Sequence, residues 1–192
     1  MDRLDKGLCF LPVFISLPLW FFLAGAQQFD WQKAEREIKR LPPATFKEVP
    51  GEIVQQLKAR GCTVPQSFVE LRPHNVIRGR YARPGQTDWA ALCSKEGKSS
   101  IVVFWGKPTA CPAELAAAED KGFLQGIGGD RIGYSRLLSA VGRAFILEHN
   151  QAHGGPKPPP IDHDGIDDAF AEKASTVQYC YQGKWLTLTG SD

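Results

Sequence analysis

After residue 26 the sequence has no long apolar run. Nothing there is expected to span a bilayer, whose hydrocarbon core takes about 20 apolar residues of helix. An excess of either charge is also missing: 23 Lys and Arg stand against 21 Asp and Glu, a formal net charge of +2. That balance gives no reason to expect nucleic acid or an anionic membrane as a partner. The basic residues are scattered, apart from "RGRYAR" at 78–83, which reads as a solvated strand edge. There is no CxxC pair and no Cys/His zinc spacing, which argues against a zinc ribbon. The GxSxG elbow of α/β-hydrolases is absent. "GIGGD" lacks the Lys and the flanking strand and helix of a phosphate loop. His149 and His153 have the i, i+4 spacing of a metalloprotease pair, but Asn150 stands where that chemistry needs a Glu.

What is present begins with Arg3 and Lys6, an apolar run from Leu8 to Leu23, and Ala24-Gly25-Ala26. This is the layout of a secretory signal peptide. Cleavage is expected after Ala26, leaving 27–192 as one α+β domain in a secreted or periplasmic setting. Four cysteines would remain, Cys62, Cys93, Cys111 and Cys180. An even count in an oxidising compartment predicts disulfides, with three possible connectivities.

Two N-terminal helices are expected, over 30–41 and 50–61. Asp30 suits the first cap, with Trp31, Ala34, Ile38 and Leu41 on one face before Pro42-Pro43. Pro50 opens the second helix and Gly61 closes it. From Asn75 onward the pattern becomes that of a mostly antiparallel sheet. "DWAALCS" and "SSIVVFWG" read as a hairpin, and "PAELAAAED" as a short Ala-rich helix. Residues 143–153 fit either a strand or a helix. "GGPKPPP" is an extended loop within the domain, at 154–160. The end of the chain predicts a hairpin about Gln182-Gly183, with Val177, Tyr179 and Tyr181 facing Leu186 and Leu188. The strand aromatics Trp89, Trp105, Tyr179, Tyr181 and Trp185 are expected to fill the core; on an exposed face they would form a carbohydrate or peptide platform.

Two segments echo one another: "GQTDWAALCSKEGKSSIVVFW" at 85–105 and "DGIDDAFAEKASTVQYCYQGKW" at 164–185. Each runs from a Gly and Asp through an apolar stretch and a charged link to an alternating strand. This resembles the hairpin unit of FG-GAP and VCBS-type repeats, whose Asp-rich turns hold calcium in propeller blades. The chain is also similar to uncharacterised exported bacterial proteins with "DWA-LC" and "HDGIDD…GKW" stretches. Two such units are too few to close a propeller of about four to eight blades. The second segment concentrates hard oxygen ligands, so any calcium is expected at Asp162, Asp164, Asp167 or Asp168, with Glu172. An EF-hand frame does not fit, because Ala171 takes the place of the bidentate acid. The competing expectation is a polar turn capped by the same Asp residues.

The expected function is that of an exported, non-enzymatic accessory or binding domain. Its partner would be a protein or a carbohydrate, and calcium a possible stabilising cofactor. The alternatives are a small secreted hydrolase using acids of the 162–172 loop, or a protein-interaction or inhibitor module.

Overall fold

A computed structural model describes residues 30–192. The expected leader, 1–26, lies outside the described residues. Within them the chain is mostly β, with twelve strands in four antiparallel sheets and three short α-helices. The expected plan of two N-terminal helices followed by one sheet is therefore corrected. Helix α1 spans Trp31–Arg36 and α2 spans Gly51–Ala59. The first stops at Arg36, short of the expected Leu41, which Pro42 holds extended. Arg40–Leu41 instead forms β1, paired with β2 (Val64–Pro65). Asp30 caps α1 as expected, accepting from the Lys33 N–H at 2.8 Å.

The first large sheet has the order β3-β4-β5-β6, comprising Val76–Gly79, Asp88–Lys95, Lys98–Phe104 and Glu114–Glu119. Strand β6 is the stretch expected to be an Ala-rich helix. Its edge pairing with β5 outweighs the helix preference of alanine, a weak prior that tertiary context routinely overrides. The register shifts within this pair, and Ala116 takes a positive φ of 51°. That bulge turns the Ala116 carbonyl toward Arg136, which donates to it from Nη2 at 2.6 Å.

A two-stranded hairpin follows, β7 (Leu124–Gly126) and β8 (Ile132–Tyr134), joined by "IGGDR". The second large sheet has the order β12-β11-β10-β9, comprising Lys184–Thr189, Ala174–Tyr181, Gly165–Phe170 and Arg136–Val141. Helix α3, Arg143–His153, settles the segment that periodicity left open. The 154–160 loop runs between α3 and β10. The C-terminal hairpin forms as expected: Val177 faces Leu188 and Tyr179 faces Leu186, about a Gln182-Gly183 turn with positive φ at both residues.

The inner faces of the two large sheets share one core, with Ala90, Leu92 and Ile101 from the first and Leu138 and Ile166 from the second. Arg136, 1 % exposed, crosses this core. Its Nε and Nη2 clamp both oxygens of Asp168 at 2.8 and 2.7 Å, while Nη1 donates to the carbonyl and hydroxyl of Ser99. A buried charge survives only when paired and hydrogen-bonded in this way. Asn75 makes a neutral counterpart, donating to the Pro65 and Arg136 carbonyls and accepting from the Leu138 N–H. On its outer face the first sheet is covered by α2, through Ile53, Leu57 and Ala91.

The four cysteines pair as Cys62–Cys93 and Cys111–Cys180. The first ties the end of α2 to β4. The second ties the loop before β6 to β11, joining the two sheets. Both fit an oxidising compartment. Among the described residues no helix is long and apolar enough to cross a membrane.

Candidate functional site

The five acids expected to meet at a calcium ion are distributed among separate partners. Asp164 accepts from the Arg80 backbone N–H, Nε and Nη2 at 3.0, 3.1 and 2.8 Å. Those bonds hold its carboxyl below the usual carboxylate range, against a smaller opposing effect of burial. Asp168 is locked to Arg136. Asp167 sits on the opposite face of β10, paired with Val177, and one of its oxygens has no partner. Burial pushes its carboxyl up. Glu172 is exposed in the β10–β11 turn at φ 63°. Among the described residues no three His, Cys, Asp or Glu side chains group where they could hold a metal ion. The "IDDAF" acids lie within a strand rather than capping an element.

Asp162 begins a different chain of contacts. His163 Nδ1 lies 2.6 Å from Asp162 Oδ1 and 3.0 Å from the Tyr179 hydroxyl, and the His163 and Tyr179 rings stack at 4.3 Å. Nε2 faces the Cys180 carbonyl at 2.9 Å and must donate to it. The hydrogen bond from His163 lowers the Asp162 carboxyl. With both ring nitrogens engaged and the ring buried, His163 has neither lone pair nor proton directed at a ligand. The group pins the loop to β11 beside the Cys111–Cys180 bridge.

His149 and His153 do share a face of α3, their rings 6.1 Å apart. His149 Nδ1 bonds the Phe145 carbonyl and His153 pairs with Asp192. The strand aromatics follow the core expectation for Tyr179, which is fully buried. Trp105 and Trp185 stack at 5.7 Å and pack partly against the shared core.

A cleft of about 770 Å³ lies elsewhere. One wall is α1 and the turn after it, with Ala34 and Ile38; the other is the β7–β8 hairpin, with Ile127 and Ile132. Its lip is the 66–74 loop, carrying Phe68 and Leu71. Leu71 is 94 % exposed. Leu71, one of the four exposed large apolar residues among those described, lines this cleft together with the partly exposed Phe68, Ile127 and Ile132. Lone exposed apolar residues are ordinary, whereas clustered ones rimmed by polar groups mark interaction sites. The rim here is mixed in charge, with Lys33, Lys39 and Arg131 against Glu37, Glu70 and Asp130.

This lip is stapled from within. Gln66 Nε2 donates to the carbonyls of Val64, Pro65 and His74, and its Oε1 accepts from the His74 N–H. His74 Nε2 accepts from the Ser67 N–H at 2.6 Å, and Nδ1 donates to the Arg72 carbonyl. Burial lowers the His74 ring from its ordinary value, which keeps Nε2 an acceptor at neutral pH. Phe68 N–H donates to the Tyr134 carbonyl, binding the lip to β8. That close approach needs Gly133, where a Cβ would lie 2.9 Å from Phe68. Leu71 thus stands exposed on a loop that is hydrogen-bonded on either side of it.

Sequence reasoning passed over this loop. The available signal was "VELRP": two apolar residues alternating with charges and ended by a Pro, in no periodic element. No protein-family model, curated protein or solved structure matches the chain.

Proposed function

We propose that the protein is an exported binding module that holds an extended, apolar-anchored segment of a partner polypeptide in the cleft between α1, the 66–74 lip and the β7–β8 hairpin. The observation that carries this reading is the gathering of the exposed Leu71 with Phe68, Ile127 and Ile132 along this one cleft. Apolar walls suit a partner's Leu or aromatic side chain, and a rim of both signs suits peptide-like charges rather than a single ion. The internal hydrogen bonds of the lip lower the ordering cost of binding. Two disulfides support export, and they brace the fold that presents the lip. Calcium has no part in the reading, because Asp162, Asp164 and Asp168 each have a cationic or imidazole partner. The hydrolase alternative is not favoured, since no pair of free acids faces a cleft in the 162–172 loop.

A panel of fluorescein-labelled extended peptides, each with a central Leu, Phe or Trp, tests the reading by polarisation. Binding that Leu71→Asp abolishes supports it; Leu71 is exposed, so that variant keeps the fold. Equal binding by the variant, or no binding by any peptide, would count against it.

A further inference from the structure

A second cleft, about 450 Å³, lies on the outer face of the first sheet, away from the lip. Trp89 and Phe104 are direct cross-strand partners on β4 and β5, so their rings share one face. Both remain partly exposed and both line the cleft. Across from them runs α2, whose Glu52 and Gln56 also line it, with Arg60 at the cap just past its end. Spaced by four, these three lie along one side of the helix. All three are exposed, while Ile53 and Leu57 turn inward to anchor the helix. An apolar aromatic floor therefore meets a row of carboxylate, carboxamide and guanidinium.

The chemistry narrows the ligand. Arg60 is the one cation of the lining, and it already faces Glu114 at 3.6 Å, with Glu52 on the same helix side. A phosphate or sulfate would find no excess positive charge. A lipid or other wholly apolar ligand would desolvate three polar side chains without replacing their hydrogen bonds. A neutral sugar ring meets both demands. Its C–H face packs on an aromatic ring, and its hydroxyls, each donor and acceptor, pair with Glu, Gln and Arg. The volume lies within the usual range for small-ligand sites. We infer that the cleft between α2 and the Trp89–Phe104 pair is a subsite for a neutral saccharide, separate from the polypeptide cleft.

The test is retention of residues 27–192 on amylose, cellulose, chitin and xylan, followed by calorimetric titration with a hexasaccharide of the retained type. Trp89→Ala should weaken binding about tenfold, the scale of one lost ring contact. Gln56→Ala, at an exposed helix position, should weaken it by a smaller factor and keeps the test decisive if Trp89→Ala fails to fold. Leu71→Asp should leave saccharide affinity unchanged, which separates this subsite from the polypeptide cleft. Retention by none of the four polysaccharides would overturn the inference. So would an affinity that neither Trp89→Ala nor Gln56→Ala alters, or binding of a decaproline probe to this face in place of sugar.

Discussion

The segments 85–105 and 164–185 echo one another in sequence, yet they treat their acids in opposite ways. In the first, Asp88 is fully buried and neutral donors surround it. Oδ2 accepts from the backbone N–H groups of Tyr81 and Ala82, and Oδ1 from Gln86 Nε2 and the Gly106 N–H. In the second, Asp164 and Asp168 are held by arginines, Arg80 and Arg136. Each segment also supplies one half-cystine. Cys93 reaches back 31 residues to Cys62, whereas Cys180 reaches 69 residues to Cys111 in the loop before β6. Their terminal tryptophans, Trp105 and Trp185, stack on each other. The difference teaches that a repeated turn pattern sets strand and hairpin, while the fate of its carboxylates depends on which donors the fold brings near.

The sharpest way to break the comparison is at Arg136. Arg136→Ala leaves Asp168 buried without its cation and should cost about 3–5 kcal/mol in urea unfolding. Replacing both members with Met and Leu should recover most of that loss. Next comes the long bridge. Cys111→Ala with Cys180→Ala should lower stability by about 2–4 kcal/mol, measured the same way, and by more than removal of Cys62–Cys93, because the closed loop is longer. Asp88→Ala strands several donors and should cost about 1–3 kcal/mol, read from its thermal midpoint.

Smaller effects are resolved by pH. The Asp164 carboxyl is depressed in the fold, so its contribution is present above the ordinary carboxylate range and fades as pH falls through the folded value. Asp164→Asn should flatten that acid arm of the stability curve. Asp167 is raised by burial and has the opposite sign: its ionisation opposes folding above the ordinary range. Asp167→Asn should therefore raise the melting temperature at pH 7 and not at pH 3. The smallest expected change concerns calcium. Melting curves in excess calcium and in chelator should coincide, and a calcium-dependent rise would restore the metal reading of the 162–172 loop.

Much of this architecture was legible in residue order. Alternation about Gln182-Gly183 specified the C-terminal hairpin, and an even cysteine count specified bridges without their pairing. The helix caps at Asp30 and Pro50 were readable as well. Strand β6 was not, because alanine is a strong helix former and only its neighbour β5 makes it a strand. The β1 pairing was hidden because two residues carry no periodicity. The Asp-rich loop misled for a related reason. Composition counts carboxylates but does not say that Arg80 and Arg136, 84 and 32 residues away, will claim two of them. The candidate cleft is built from α1, an irregular loop and a short hairpin, and such convergence leaves no local pattern.

The two bridges also divide the chain mechanically. They are arranged in tandem, one closing at Cys93 before the other opens at Cys111. A force applied to the two ends of the folded chain reaches neither enclosed loop while the sulfurs stay joined. At about 3.4 Å per extended residue, the separations of 31 and 69 positions between paired cysteines amount to roughly 340 Å of contour that stretching does not release until a reductant is added.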